Sequence, residues 1–382
     1  MKVQGSNTFE AHYANLYGER WAALSTALRN TQNTIALIPP FYSHIPDMLD
    51  ECKNPNTDIK LENLVGTSYY RKSAFPFCHE EDEFKPTDNG LINLDDIDLY
   101  DKKAILNANN LVGTVFDSVY RINIGICYAC YALGPQPGER VMDMFAHGGV
   151  HSLIFASLMF PTSESVSQIS GEGKSTMEIV ELINRARDDM LCKADKSLLV
   201  CAEPTKSLYA TSMSNLQKYL PERLLRSMNV QITCYDGMNH KLKRFGTFDR
   251  IFVRMPPHSY YATPMSWSKR NLKDDSTKAL NALTTAISFL KPGGTILYVT
   301  ESLDPIENEL IIHTVLQSIA TLRHETIDLV SDLENLRKKL SWIDEAKVPL
   351  PQVETRKYGC ALMPDRTNCG PIYICKLVSN ND

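Results

Sequence analysis

Apolar residues recur at three- and four-residue spacing from Phe9 to Asn30. Tyr13, Leu16, Tyr17, Trp21, Leu24 and Leu28 mark one face of a helix that packs on a core. Beyond it, Pro39, Pro40, Pro55 and Pro76 break the chain into irregular pieces. The stretch from Asp82 to Asp101 is acidic and punctuated by Gly and Pro, and reads as a solvated connection to the main domain. From Arg140 the pattern changes. Near-continuous apolar runs (RVMDMFA, SLLVCAE, NVQITCYD, FDRIFVRMP and GTILYVT) alternate with helical stretches. That alternation predicts a buried, mostly parallel sheet. A helix over Leu272 to Leu290 stops at Lys291-Pro292-Gly293-Gly294, a tight turn into a strand. A further helical region, interrupted along its length, is expected from Glu307 to Trp342, and PIYICKLV forms a final strand.

This is the order of a doubly wound α/β domain, whose ligand sits at the carboxyl ends of the strands. The expected organisation has two parts. Residues 1–110 form a helical and irregular extension with the acidic connector. Residues 111–382 form the α/β domain, with an insertion at about 161–197 that opens on the Ser/Gly-rich run PTSESVSQISGEGKST. The sequence shows no internal repeat.

Composition narrows the function classes. The 382 residues carry 40 Lys+Arg and 45 Asp+Glu, a formal charge of −5, with 43% hydrophobic and 22% charged residues. A chain of this length buries roughly 75% of its unfolded surface without disulfide staples. The acidic balance argues against coating nucleic acid or an anionic membrane through bulk charge, and leaves room for a local basic groove. Lys241, Lys243 and Arg244 form one short basic edge and Lys269, Arg270 and Lys273 another. Both read first as solvated faces. The ten cysteines are scattered, as expected for reduced thiols. Cys127 and Cys130 lie in an apolar helix and read as core thiols, since a zinc site usually needs four ligands. Cys360, Cys369 and Cys375 read as sheet packing. No metal is expected. No apolar run reaches the roughly 18 residues of a membrane helix.

One loop has cofactor-type chemistry. VMDMFAHGGVHS runs from a strand into a helix amino terminus, where Gly148 and Gly149 allow close backbone approach. Asp143, Glu203 and Asp236 end three successive strands. Acids in those places can meet ribose hydroxyls and an adenine amine. They suit an adenosyl cofactor such as S-adenosylmethionine better than a triphosphate, for which no Gly-Lys-Ser/Thr loop exists.

Seven ordered stretches resemble the Sun-domain RNA (cytosine-5) methyltransferases, and most of all their mitochondrial ribosomal-RNA branch. They are FEAHYANLYGERWAALSTAL, LGPQPGERVMDMFAHGG, LVCAEPTKSLYATSMSNLQKYLP, ITCYDG, FDRIFVRMP, LKPGGTILYVTESLDPIENE and NCGPIYICKL. The likeness runs from Phe9 to Leu377 outside the insertion and the connector. It implies a class I (Rossmann-like) methyltransferase fold with a seven-stranded, mostly parallel sheet and an N-terminal helical extension.

The resemblance also implies a demanding reaction. A cysteine thiolate adds to carbon-6 of a flipped-out cytosine, and a second cysteine helps resolve the adduct. The family sets these cysteines in Asp-x-Pro-Cys and Thr-Cys-Ser elements. Here the elements read Arg254-Met255-Pro256-Pro257 and Thr300-Glu301-Ser302. Pro257 and Glu301 replace the cysteines, and Arg254 replaces the aspartate. A cation beside the sulfonium is unfavourable, since like charges about 5 Å apart repel by roughly 3 kcal/mol at an effective dielectric near 20. The cofactor loop, Ala146-His147-Gly148-Gly149-Val150, lacks the family's lysine, and Leu208 stands where a basic residue is usual. S-adenosylmethionine binding is therefore in question, with Asp143, Gly148, Gly149, Glu203 and Asp236 as vestigial contacts. His147 reads as a loop histidine with its hydrogen bonds met. His258, Tyr260 and Tyr261 are either RNA-stacking groups or the filling of a rebuilt pocket.

The expected protein is a catalytically degenerate methyltransferase. By resemblance it is a structural assembly factor for the mitochondrial large ribosomal subunit. It would work in the matrix with an mTERF-type helical-repeat partner, on large-subunit rRNA and assembly intermediates, and away from membranes. The first residues, MKVQGSNTFEAHY, carry neither a secretory core nor an Arg-rich presequence, so matrix location rests on the resemblance. Two other readings stay open: an active rRNA cytosine-5 methyltransferase with its nucleophile moved to Cys234 or Cys201, both expected to be buried, and a non-ribosomal interaction protein. With a net charge of −5, RNA affinity must come from a local patch or from a basic partner.

Overall fold

The computed structural model describes residues 8–29, 34–38, 61–64, 67–71, 120–160, 194–257, 267–332, 334, 352–367 and 369–380. The acidic connector, the insertion up to residue 193 and residues 258–261 lie outside the described residues.

The expected amino-terminal helix is two helices, α1 (Phe9–Tyr17) and α2 (Trp21–Arg29), joined by a 3-10 turn. Thr8 caps α1 by accepting the Ala11 N–H at 3.2 Å, and Gly18 at φ +57° breaks the helix. Tyr13 and Leu24 are fully buried, but Leu16 is 41% exposed and leaves the apolar face assigned to it.

A four-stranded antiparallel sheet follows: β1 (Thr34–Ile38), β2 (Leu61–Leu64), β3 (Thr67–Arg71) and β4 (Tyr120–Asn123), in the order β2-β3-β1-β4. The extension therefore contains strands where helical and irregular chain was expected, and its sheet is completed from beyond residue 110. Proline punctuation hid these runs of four or five residues, of which β1, β3 and β4 carry β-branched or aromatic residues and β2 (LENL) none.

Asn123 caps α3 (Ile124–Leu133), the apolar helix that precedes the main sheet. Then come β5 (Arg140–Asp143), α4 (Val150–Met159), β6 (Leu198–Ala202), α5 (Lys206–Tyr219), α6 (Glu222–Arg226), β7 (Val230–Thr233), β8 (Phe248–Arg254), α7 (Lys269–Phe289) and β9 (Leu290–Thr300). The chain ends with α8 (Glu309–Ser318), β10 (Leu322–Glu325), β11 (Val353–Thr355), β12 (Cys360–Leu362), α9 (Pro364–Thr367) and β13 (Ile372–Ser379).

Strands β7, β6, β5, β8 and β9 are mutually parallel, and β13 runs antiparallel beside β9. β12 and β10 share the other edge of β13, pairing with residues 372–374 and 376–379 respectively, and β11 pairs with β12. The sheet thus has nine strands, seven in the doubly wound core plus the β11–β12 pair. The helical region expected over 307–342 gives way to β10 after α8. Its sequence, LRHE, buries only Leu322, so neither helical nor strand periodicity marks it.

Period-two alternation divides the core between the two sheet faces. Leu297 and Val299 of β9 join Val141, Phe252 and Ile374 under α3, α4 and α5. Ile296 and Tyr298 join Met142, Ile251 and Tyr373 under α7 and α8. A third cluster sets Phe9, Tyr13 and Trp21 against Trp267, Leu303 and Met363. Arg20 fixes that contact through two bonds to Asp365, at 2.8 and 2.9 Å, and bonds to Glu354. The extension is therefore tied to the elements that flank the carboxyl end of β9.

Candidate functional site

The carboxyl ends of β5, β6, β7, β8 and β9 lie along one rim of the sheet, and four of the five expected cofactor residues meet there. Asp143 ends β5 and is fully buried. Its carboxylate accepts the Ser152 hydroxyl at 2.8 Å and lies 3.4 Å from His151 Nδ1. Both partners sit in the first turn of α4, where a carboxylate is favourable at a helix amino terminus. Gly148 and Gly149, at φ +80° and +84°, carry the chain from β5 into α4 through a conformation that favours glycine. The Gly148 N–H donates to Glu203 Oε1 at 2.9 Å, and Asn215 Nδ2 donates to the Gly148 carbonyl at 2.8 Å. Glu203, just past β6, also accepts the Ser212 hydroxyl. Burial pushes its carboxyl up, and the bonds from Ser212 and Gly148 oppose that shift. Asp236 stands apart. Its Oδ1 accepts the Met238 N–H at 2.8 Å, closing a turn after β7. The next residue, Gly237, lies so close to Met144 of the β5 loop that an added Cβ would sit 2.3 Å from the Met144 carbonyl oxygen.

The other half of the rim is built from the positions at which the sequence departs from its resemblance. Arg254 ends β8 and Glu301 follows β9. The two strands pair in parallel, with Arg254 opposite Val299. Arg254 Nη2 donates to Glu301 Oε1, with side chains only 11% and 15% exposed. Arg254 Nη1 lies 3.5 Å from His151 Nε2. One polar chain therefore runs from Ser152 and Asp143 through His151 and Arg254 to Glu301. Pro257, three residues beyond β8, is exposed.

The loop after β9 is held rigidly. Thr300 Oγ1 donates to Asn308 Oδ1 at 2.5 Å, Asn308 Nδ2 donates to the Ser302 carbonyl at 2.8 Å, and Ser302 Oγ donates to Glu307. These buried bonds fix the backbone on both sides of Glu301.

His147 differs from its expectation. Its Nε2 is buried with no hydrogen-bond partner, as is Arg254 Nε. Burial, then the Arg254 charge and His151, push the His147 imidazole down to about 2. Burial also holds His151 low, against the pull of Asp143. His151 and Ser152 were not singled out from sequence, although they lie in the same HGGVHS run as the glycines.

The two alternative thiols separate. Cys201 is buried, and burial raises its thiol far above the usual range. Cys234 is exposed, which corrects the expectation that both are buried. It follows β7, three strands from β8, or about 14 Å at about 4.8 Å per strand. Cys127 and Cys130 are fully buried core thiols, and burial raises both. Cys360 and Cys375 are buried in β12 and β13, and Cys369 in the turn between them. Among the described residues no group of three or more His, Cys, Asp or Glu could hold a metal. No described helix is long and apolar enough to cross a membrane. Lys241, Lys243 and Arg244 are exposed, and Lys241 and Arg244 both lie over Tyr235. Lys269, Arg270 and Lys273 project from the first turns of α7, with Arg270 3.8 Å from Asp274. Leu208 is an exposed apolar residue.

Residues 193–378 match the family model of 16S rRNA methyltransferase RsmB/F. Mouse tRNA (cytosine(72)-C(5))-methyltransferase NSUN6 is 23% identical over 294 residues, 72% of this chain and 55% of that protein. The 5-cytosine rRNA methyltransferase NSUN4 of Bos taurus is 27% identical over 255 residues, 64% of this chain and 56% of that protein. The chain thus spans about half the length of the curated relatives it matches. Among solved structures, NSun6 from Pyrococcus horikoshii with SFG superposes with a TM-score of 0.57 at 14% identity, covering 98% of each chain. A methyltransferase homolog protein from the same organism gives 0.58 at 16% identity, covering 96% of this chain and 93% of that one.

Proposed function

From a chain that belongs to the Sun-domain RNA (cytosine-5) methyltransferase family, and that has the family's class I fold, we infer a protein that keeps the scaffold and no longer transfers methyl. The observation that carries this reading is the Arg254–Glu301 ion pair. At the two positions where the resemblance sets an aspartate and a cysteine, this chain has opposite charges that neutralise each other across adjacent strands. A carboxylate engaged by a guanidinium is no substitute for a soft thiolate adding to a pyrimidine. Pro257, at the other cysteine position, has no nucleophilic side chain.

S-adenosylmethionine supplies the methyl group in this family. Glu203 and Gly148 fit its adenosyl part in residue type and position, and Asp236 in residue type. The Arg254 side does not fit the sulfonium end, since its guanidinium is held by Glu301 and neither a free carboxylate nor a thiol stands where the resemblance sets them. Asp143 is turned inward onto Ser152 and His151, so its carboxylate serves the fold. The retained residues therefore describe a structural cradle, and no methyl-transfer step follows from them.

The function that remains is to hold RNA and protein in place. The NSUN4 relatives, named as 5-cytosine rRNA methyltransferases, support a role on ribosomal RNA, and a mitochondrial tRNA (cytosine(34)-C(5))-methyltransferase of Danio rerio, 24% identical over 226 residues, supports a mitochondrial location. We propose assembly of the mitochondrial large ribosomal subunit, with an mTERF-type helical-repeat partner adding basic surface to a chain of net charge −5. Sedimentation of a mitochondrial extract carrying the tagged full chain tests this. Migration with large-subunit precursors is expected, and a small soluble complex alone would contradict it. The non-ribosomal alternative predicts the second pattern.

A further inference from the structure

The far edge of the sheet carries a feature that this reading does not use. β7 ends the strand order, and no described strand pairs with its outer side. The carbonyls of Asn229 and Thr233 accept the N–H groups of Leu199 and Glu203, at 2.8 and 3.0 Å. Strand backbone groups alternate in direction, so Val230 and Ile232 turn their N–H and C=O groups outward. A groove of about 720 Å³ runs along this edge, lined by Met213 and Leu225 from the helices, by Met228 and Ile232, and by Arg226 and Arg244. Met228 is 59% exposed and held at φ +63°, a conformation rare outside glycine. Arg244 packs over Tyr235 and Phe245 and makes no ion pair among the described residues.

We propose that this groove binds an extended peptide segment of another protein, with alternating apolar and acidic side chains, which adds to β7 as a further strand. The outward backbone groups of Val230 and Ile232 supply the main-chain bonds, and the Met213, Leu225 and Met228 surface takes every second side chain. Arg244, which makes no ion pair among the described residues, selects a carboxylate on the rim. Glu222, the acid in the lining, is already paired with Arg226 at 2.6 Å. A second copy of this chain fits poorly, because the β7 sequence Val-Gln-Ile-Thr has no acid to meet the arginines and edge pairing would bring like charges together. A nucleic acid strand could meet the arginines, but it offers no partner pattern for two strand-edge amides and carbonyls. This inference stands independently of the assembly role.

The test uses the full chain and a fluorescein-labelled octapeptide of alternating valine and glutamate. Saturable anisotropy is expected, with amide exchange at Val230 and Ile232 slowed at least tenfold and that at Gln231 unchanged. The exposed variant Arg244→Glu should bind at least tenfold more weakly while the native circular dichroism spectrum is retained. Ile232→Pro should abolish binding by removing an outward donor. Absence of binding, equal binding of a valine–lysine peptide, or protection confined to other residues would overturn the proposal. So would tighter binding of single-stranded oligouridine at the same amides, or a concentration-dependent dimer protecting them in the free protein.

Discussion

Arg254 and Glu301 face each other across the carboxyl ends of two neighbouring parallel strands and form an ion pair that is nearly closed to solvent. Each residue alone departs from the pattern that the resemblance implies. Together they are a compensated replacement, because either charge alone at this depth would be costly. Removing one member of a buried pair typically costs about 3–5 kcal/mol, whereas replacing both with apolar residues is often close to neutral. Arg254→Met and Glu301→Met should therefore each destabilise the chain by about 3 kcal/mol, and the double variant R254M/E301M by less than about 1.5 kcal/mol. Urea unfolding of the two single variants and the double variant reads the coupling directly. Strictly additive losses would show that the pair is incidental.

The amino-terminal helices should depend on a single guanidinium. Arg20 joins Glu354 of β11 and Asp365 of α9, whose side chains are 11% and 10% exposed. Arg20→Ala takes the guanidinium from Asp365, while Glu354 keeps Arg356 at 3.0 Å and Arg366 at 3.3 Å, and should cost about 1.5–3 kcal/mol. Limited proteolysis should then cleave first within residues 8–29 while the main sheet stays protected. Unchanged cleavage would show that the aromatic cluster of Phe9, Tyr13 and Trp21 suffices.

Acid should weaken the fold through two histidines. An unfolded imidazole protonates near 6.5. In the folded protein His147 stays neutral to about 2, and His151 is also held low. Below pH 6.5 the unfolded chain therefore binds more protons, and stability falls as pH falls. Each histidine contributes a slope of up to about 1.4 kcal/mol per pH unit. His147→Gln should flatten the profile between pH 6.5 and 5, measured as the urea midpoint against pH. An unchanged slope would contradict the buried, neutral assignment.

Among the seven described thiols, Cys234 alone is exposed. Iodoacetamide on the native chain should modify Cys234 and spare Cys127, Cys130, Cys201, Cys360, Cys369 and Cys375, as read by peptide mass spectrometry. Rapid modification of Cys201 would revive it as a candidate nucleophile.

The sheet was legible where strands are long and buried on both faces. β5, β6, β8 and β9 announce themselves as apolar runs, and α7 as a stripe ending near Lys291-Pro292-Gly293-Gly294. β10, β11 and β12 were not legible, because strands of three or four residues, largely at the edge, show too few alternations. The break at Gly18 was hidden because apolar spacing continues across it. The site was half legible. Asp143, Glu203 and the glycines were found from their places after strands, and Arg254 and Glu301 from their departures. Their pairing was not, because the two residues lie 47 apart and meet only when β8 and β9 align. Nor was the inward turn of Asp143, which depends on where α4 presents His151 and Ser152.

The central claim is that this scaffold no longer methylates cytosine. It is tested most directly by incubating the purified full chain, with its ribosomal partner and a cytosine-containing rRNA fragment, in tritium-labelled S-adenosylmethionine. No incorporation into 5-methylcytosine above a no-protein control is the predicted result. Cofactor-dependent 5-methylcytosine, lost on substitution of Cys234, Glu301 or any other residue of this chain, would contradict the account.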